Sequence, residues 1–428
     1  MLDETDEIGR FILMLPYYSS MRTLALLFAI ALSGFAAPAA AQLLPGLPSP
    51  GDTLRPVLPI LRNAGDLPQA ALNRLDALRA DRIAGLVRDH PESIALDPNG
   101  FPARAREVVV EEPTDALVKA AGGKGFRLIE REETLGVHFA RFEAPRGLSL
   151  KQAIRALRKL GAREVDADQL HFQNGAVSPG GGISTLPFQP GGGPFIGMID
   201  GGVGGGGMIQ RGFAAGGARA SDHGTAIASL ILGRGPVRGA APGARLMVAD
   251  VYGADPAGGS ATAIVKALGW LVGQGAPVVT VSLVGPLNPL LARVVSAAQA
   301  RGVILVAAVG NDGPASPYSY PASYPGVIAV TGVDGRDRVL IEAGRATHLD
   351  YAAPGADMLA INAAGTAAPV RGTSFAVPLV AARIAKAYPR PAPAARATAL
   401  AAVDAEARRL GKRYGRGLVC GACRTPPR

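Results

Sequence analysis

The sequence predicts an α/β fold, a mainly parallel sheet flanked by helices and preceded by a small α+β module, and three observations carry that prediction. Short apolar runs without clean alternation, FIGMID, LMVADVY, VVTVSL, VILVAAV and VIAVTGV, recur through the second half of the chain. Such runs belong to strands buried on both faces, as in a parallel sheet. Segments of helical length and spacing lie around them, at residues 224–232, 261–272, 289–301 and 375–388. Upstream, REVVVEE, PTDALVKAAG, FRLIERE, VHFARFEA, SLKQAIRALRKLG and REVDADQLHF read in the order β-α-β-β-α-β. That order matches the split ferredoxin-like arrangement, two helices over one face of an antiparallel sheet.

Each region can be placed within this frame. The 428 residues suit one large core plus a smaller module. Apolar residues at 48% and charged residues at 18% make the bulk globular. From Met21 the chain reads MRTLALLFAIALSGFAAPAAAQ, with a basic start at Arg22, an apolar stretch and small residues up to Ala41. This is the pattern of a secretory signal peptide over residues 21–41, too short in its apolar part for a comfortable membrane span. It implies export to the periplasm or the extracellular space, with no membrane span once the signal is removed. Residues 1–20 carry Asp3, Glu4, Asp6 and Glu7, an acidic lead foreign to export signals, so translation is expected to begin at Met21 and residues 1–20 to be a mis-assigned start.

Residues 42–105 combine a Pro-rich linker with an amphipathic helix at 66–88, where Leu67, Ala71, Leu75, Leu78, Leu86 and Val87 recur at three and four. Residues 106–173 hold the ferredoxin-like module. Residues 174–194, crowded with Gly and Pro, read as a second linker that packs against nothing. The large domain is expected over 195–420, with a tail at 421–428. The two cysteines, Cys420 and Cys423, could close a small disulfide, but a loop that short contributes little stability. A redox motif would want a helix after the pair, and structural zinc would want four ligands.

The net charge of +10 comes mostly from singly scattered Arg, with no basic run interleaved with aromatics. A nucleic-acid partner is therefore not expected. Gly202, Gly204 and Gly207 have the G-x-G-x-x-G spacing of a dinucleotide site. No helix follows them directly, so a mobile loop is expected there instead.

In parallel sheets, chemistry gathers beyond the carboxyl ends of strands. Asp200 closes FIGMID, His223 opens the helix of SDHGTAIASLILG, Asn311 follows VILVAAV in GND, and Ser374 opens the helix of RGTSFAVPLVAA. A hydroxyl becomes a nucleophile when an imidazole takes its proton and a carboxylate holds the ring, which assigns Ser374, His223 and Asp200. An oxyanion needs preorganised donors, and the Asn311 amide with the Ser374 N–H could supply them. Singly, each residue has a plainer reading: Ser as a helix cap, Asp and Asn as turn formers, His as a surface or core group.

The surrounding words HGTAIASLI, VAAVGNDGP, SYPASYPGVIAVTGVD, LDYAAPGAD and GTSFAVPLVAA resemble, in the same order, those of the subtilisin-like serine proteases, or subtilases. The resemblance spans roughly residues 194–420, and RYGRGLV resembles the family's last strand. It departs at Asp200, where the family has Thr or Ser next and this chain has Gly201. The resemblance implies a secreted serine endopeptidase with an Asp200, His223, Ser374 triad, an acyl-enzyme intermediate and Asn311 in the oxyanion hole. It implies an extended peptide or protein substrate added as a strand between Ser282-Leu283-Val284-Gly285 and Gly258-Gly259-Ser260. Val284 replaces a glycine of the family there, which implies a narrow pocket beside the scissile bond. The module at 106–173 resembles the inhibitory propeptide of a zymogen, with self-cleavage expected between Gln173 and Pro194. No cofactor is required; calcium, which many subtilases bind, has no compact acidic loop marking a site. The alternative is a catalytically impaired relative that binds peptides.

Overall fold

The computed structural model describes residues 69–427 apart from 174, 179–180, 184–186 and 190. The expected start at Met21, the signal peptide and the first linker lie outside the described residues. Helix α1 (Gln69–Asp89) leads into strands β1 (Ile94–Leu96) and β2 (Pro102–Glu111), helix α2 (Asp115–Gly122), β3 (Arg127–Thr134), β4 (Val137–Glu143), helix α3 (Leu150–Lys159) and β5 (Val165–Gln169). The strands pair antiparallel in the order β5-β2-β4-β3, with β1 also on β2. This is the ferredoxin-like order expected from the sequence. Both helices start on caps: Thr114 accepts from the Leu117 N–H, and Ser149 forms a reciprocal capping box with Gln152.

The period of two along β2 sends alternate residues to opposite faces. Val108 and Val110 pack with Leu117, Ile154 and Leu157 under the module's own helices. Val109, with Val137 and Phe139 of β4, faces the other way, into a second core.

That second core belongs to the large α/β body. Three short strands come first, β6 (Phe172–Gln173), β7 (Ala176–Val177) and β8 (Gly181–Ile183). Next are β9 (Phe195–Asp200), β10 (Ile209–Gly212), helix α4 (Asp222–Leu232), β11 (Arg245–Asp250), helix α5 (Ala261–Gly273), β12 (Val278–Val281), β13 (Leu283–Val284), helix α6 (Pro289–Ala300), β14 (Ile304–Ala308), β15 (Ile328–Val333), β16 (Tyr351–Pro354), β17 (Met358–Ile361), β18 (Thr366–Arg371), helix α7 (Val377–Ala387) and helix α8 (Arg396–Glu406). Seven strands form one parallel sheet, β10-β11-β9-β12-β14-β15-β16. Helices α4 and α7 cover one face, and α5 and α6 cover the other. The open face of the small module's sheet thus docks on α5 and α6. Pairs Lys266–Glu130 (2.8 Å) and Arg293–Glu111 (3.0 Å) stand at its rim.

The structure corrects the sequence reading at three places. The described residues between 175 and 194 do pack. Strand β7 pairs antiparallel with β18, β8 pairs with the same strand, and Phe188 is buried. Pairing of this kind uses backbone groups, so the lack of large side chains did not prevent it. Beyond Gly202, Gly204 and Gly207 the chain is not simply a mobile loop, because β10 adds an edge strand to the main sheet. Ser374 does not open α7 itself; it lies on a preceding 3₁₀ turn, Thr373–Phe375. Cys420 and Cys423 are joined as a disulfide.

Candidate active site

Asp200 ends β9 at the carboxyl edge of the sheet and is fully buried. His223 lies in the first turn of α4, whose N-cap is Ser221; the Ser221 hydroxyl accepts from the Gly224 N–H at 3.0 Å. Strand end and helix start meet there. His223 Nδ1 is 2.9 Å from Asp200 Oδ1 and 3.1 Å from Oδ2. Asp200 Oδ1 also accepts from the Gly201 N–H and from Gln173 Nε2, each at 2.8 Å. With Nδ1 donating to the carboxylate, Nε2 is left as the acceptor of a neutral ring.

Ser374 is also fully buried, and Phe375 beside it lies 5.4 Å from the His223 ring, centroid to centroid. Asp200 and His223 are thus in contact, and the turn that carries Ser374 lies beside the His223 ring. The serine hydroxyl is not bonded to the ring, however: Oγ donates to the Ser282 carbonyl at 3.1 Å, and His223 Nε2 has no partner among the described residues. Asn311 follows β14, and its Oδ1 accepts from the Thr373 N–H at 2.9 Å. That bond fixes Oδ1 as the acceptor, which leaves the NH₂ end of the amide as the donor.

The missing hydroxyl after Asp200 has a physical explanation. A side chain at Gly201 would run into the Ser221 hydroxyl, and its Cβ would stand 2.9 Å from Gln173 Nε2. The space is filled from two other segments. One of them, Gln173, lies in the chain that follows the small module.

That chain runs through the groove between the two expected edges. Leu170 bridges to Ser260, the His171 N–H donates to the Gly259 carbonyl at 2.8 Å, and β6 pairs with β13 as Val284↔Phe172 and Leu283↔Gln173. Thus Gly259, Ser260, Leu283 and Val284 flank an extended segment on both sides. Ser282 serves Ser374 instead, its Oγ donating to the Ser374 carbonyl at 2.9 Å. Gly285 forms the floor under His171, where an added Cβ would stand 2.5 Å from the ring. Gly258 belongs to the turn behind, its N–H bonded to the Asp255 carbonyl. Val284 leans toward the Asn311 side, its methyls about one van der Waals contact, 3.4 Å, from where a Cβ on Gly310 would sit. Beyond residue 174 the chain resumes against β18, with Ala176 opposite Arg371 and Val177 opposite Val370.

Other residues that hold this segment were missed in the sequence. The buried Asp168 carboxylate accepts from the Thr262 N–H (2.9 Å) and hydroxyl (2.6 Å) at the start of α5. Burial raises its pKa above the ordinary carboxylate range. Tyr252 donates its hydroxyl to the His171 carbonyl at 2.7 Å. Helix α1 lies across the top. Leu86 packs with Leu170 and Ala257 on one rim, and Arg82 grips Asp312, next to Asn311, at 2.8 and 3.0 Å on the other. Only the apolar LHF at the end of the module, running straight into Gly-rich chain, hinted at such a placement. Among the described residues, no group of three or more His, Cys, Asp or Glu is placed to hold a metal, and no helix is long and apolar enough to cross a membrane.

Comparison with known proteins places the chain among relatives of one family. The family model described as "Subtilase family" matches residues 214–415, a span that includes His223, Asn311 and Ser374 and begins after Asp200. Subtilisin BL of Lederbergia lenta is 37% identical over 163 residues, covering 37% of this chain and 60% of that protein. Subtilisin of Bacillus pumilus is 31% identical over 209 residues, covering 46% of this chain and 75% of that one. The chain thus spans three fifths of the length of the first relative and three quarters of the second. Two solved structures share the fold. Fervidolysin of Fervidobacterium pennivorans, a keratinolytic enzyme related to subtilisin, superposes with a TM-score of 0.59 at 18% identity, over 74% of this chain and 60% of its own. The epidermin leader peptide processing serine protease of Staphylococcus aureus gives 0.59 at 15%, over 75% and 97%. With the α/β sheet, the order of its site residues and relatives at this level of identity, the chain belongs to the subtilase family.

Proposed function

We propose that the protein is a serine endopeptidase, exported as a zymogen that cuts itself and is held closed until then by its own N-terminal module. One observation carries the reading: residues 170–173 lie in the groove as an added strand, bonded through the backbone on both sides, and Gln173 at its end reaches the Asp200 carboxylate that holds His223. Backbone pairing is how a cleft receives an extended peptide of varied sequence. In the reaction, His223 Nε2 takes the proton of Ser374 Oγ as that oxygen attacks the substrate carbonyl carbon. Asp200 holds the imidazolium, and the Asn311 amide stabilises the oxyanion. The amine then leaves with the proton, and water hydrolyses the acyl-enzyme.

The same register indicates where the zymogen cuts. Gln173 is the last residue paired with β13, and Gly175 already stands against Phe375, so the bond broken lies between Gln173 and Gly175. Residues 69–173, α1 included, then form the inhibitory segment. A resting Ser374 bonded to Ser282 rather than to His223 favours a second reading, an impaired relative that only binds peptides. One experiment separates the two. A fluorophosphonate probe is expected to label the mature chain, and a Ser374→Ala protein is expected neither to label nor to shorten. N-terminal sequencing should find the new terminus at residue 174 or 175. A wild-type chain that stays full-length and unlabelled supports the second reading.

Val284 also sets a preference for small side chains ahead of the cut. Val284→Gly is expected to raise kcat/KM for peptides with Phe or Tyr there by about tenfold or more, the scale of a few methylenes in a pocket. Efficient cleavage after Phe by the unchanged enzyme would contradict the assignment.

A further inference from the structure

The Asp200 carboxylate is fully buried, and a buried acceptor left without a donor is costly. Its Oδ1 takes one donor from its own strand end, the Gly201 N–H, one from His223, and one from Gln173, which lies in the segment occupying the groove. Gly201 has no side chain to contribute, and the space where one would stand is taken by Gln173 Nε2 and the Ser221 hydroxyl. The pairing of Gln173 with Leu283 fixes the backbone from which the amide reaches the carboxylate. When the segment leaves after cleavage, that donor leaves with it.

We propose that the peptide in the groove supplies a hydrogen-bond donor to Asp200, so that the enzyme prefers substrates carrying glutamine at the position that pairs with Leu283. This rests on the protease reading and names its substrate class: peptides resembling the chain's own residues 168–179, with a primary amide at the place of Gln173. The amide orients the carboxylate and hence the His223 ring; it is a positioning group and takes no part in proton transfer. Its effect is expected on kcat, because a well-held imidazolium matters most in the transition state.

The test uses the mature enzyme and the peptide DQLHFQNGAVSP, compared with peptides bearing Met, Ala or Glu in place of the second Gln. Methionine keeps the length and flexibility of glutamine without its donor. The Gln peptide is expected to exceed the Met and Ala peptides about tenfold in kcat with a smaller change in KM, the scale of one lost hydrogen bond to a charged group. The Glu peptide is expected to be the poorest, since it sets a second carboxylate against Asp200. In the full chain, Gln173→Met should slow self-cleavage by a similar factor. Equal kcat for the Gln and Met peptides, with Ser374→Ala inert, overturns the inference and leaves the protease reading standing. No cleavage of any peptide and no probe labelling overturns both.

Discussion

Replacing Asp200 by Asn is expected to slow self-cleavage by on the order of 10⁴-fold, the loss that the same change produces in other Ser-His-Asp triads. The geometry explains the size of the effect. Asp200 Oδ1 now receives three donors, from Gly201, Gln173 and His223 Nδ1. An Asn must place its one oxygen at one carboxylate position and its NH₂ at the other, and both positions lie within 3.1 Å of His223 Nδ1. If the oxygen keeps the Gly201 and Gln173 donors, the NH₂ end faces His223 and asks Nδ1 to accept. The ring then carries its proton on Nε2 and cannot take one from Ser374. If the oxygen faces His223, the tautomer survives but the charge that stabilises the imidazolium is gone. The shape is unchanged in either case, so the variant should fold like the parent while remaining uncut. Pulse-chase gels that follow the loss of the full-length form give the rate. Near-normal processing of Asp200→Asn would remove Asp200 from the machinery.

The second large effect concerns acid. His171 is fully buried in the groove over Gly285, and neither of its ring nitrogens has a partner among the described residues. Burial pushes its pKa down to about 4, against an ordinary value of 6.5. The facing Tyr252 hydroxyl is spent on the His171 carbonyl, and burial raises its own pKa, so it stays neutral and offers the ring no counter-charge. The depressed pKa means that the docked segment holds fewer protons than the released one between these limits. Docking strength is therefore fully present above about pH 6.5 and falls as pH drops toward 4, levelling off below. The full difference is about 3 kcal/mol, or on the order of a few hundredfold in the population of the open segment. Charging of His171 is thus expected to loosen the strand in acid, against the buried Asp168 carboxyl, whose raised pKa works the other way, and His171→Leu should remove the loosening part. The measurement is amide exchange of residues 170–173 in a Ser374→Ala background, corrected for intrinsic rate, at pH 7 and pH 4.5. Equal pH dependence with and without the His171→Leu change would show that another group governs release.

The two effects act at different stages. Asp200 governs whether the bond breaks, whereas His171 governs how firmly the severed segment stays in place. On the proposed zymogen reading, self-cleavage is expected near neutral pH and easier loss of the severed segment in acid.

Much of the large body was legible in the chain because its physics is local. A strand buried on both faces needs an unbroken apolar run, so FIGMID, VVTVSL and VILVAAV mark the inner strands β9, β12 and β14 directly. Asp200 and Asn311 stand out because a polar residue closing such a run must sit at the sheet's edge.

Tertiary structure decided what occupies the groove. Backbone pairing leaves no composition signature, so residues 170–183 read as the end of a module followed by a Gly-rich linker, yet they bond in turn to residues 259–260, β13 and β18. The positions of Gln173 at the carboxylate, of the buried His171 over Gly285 and of Arg82 on Asp312 each join residues far apart in the chain. The sequence by itself determined which side chains could do the chemistry, since that depends on residue type and strand ends. Only folding determined what stands against them, because contacts between distant segments follow from how whole surfaces fit.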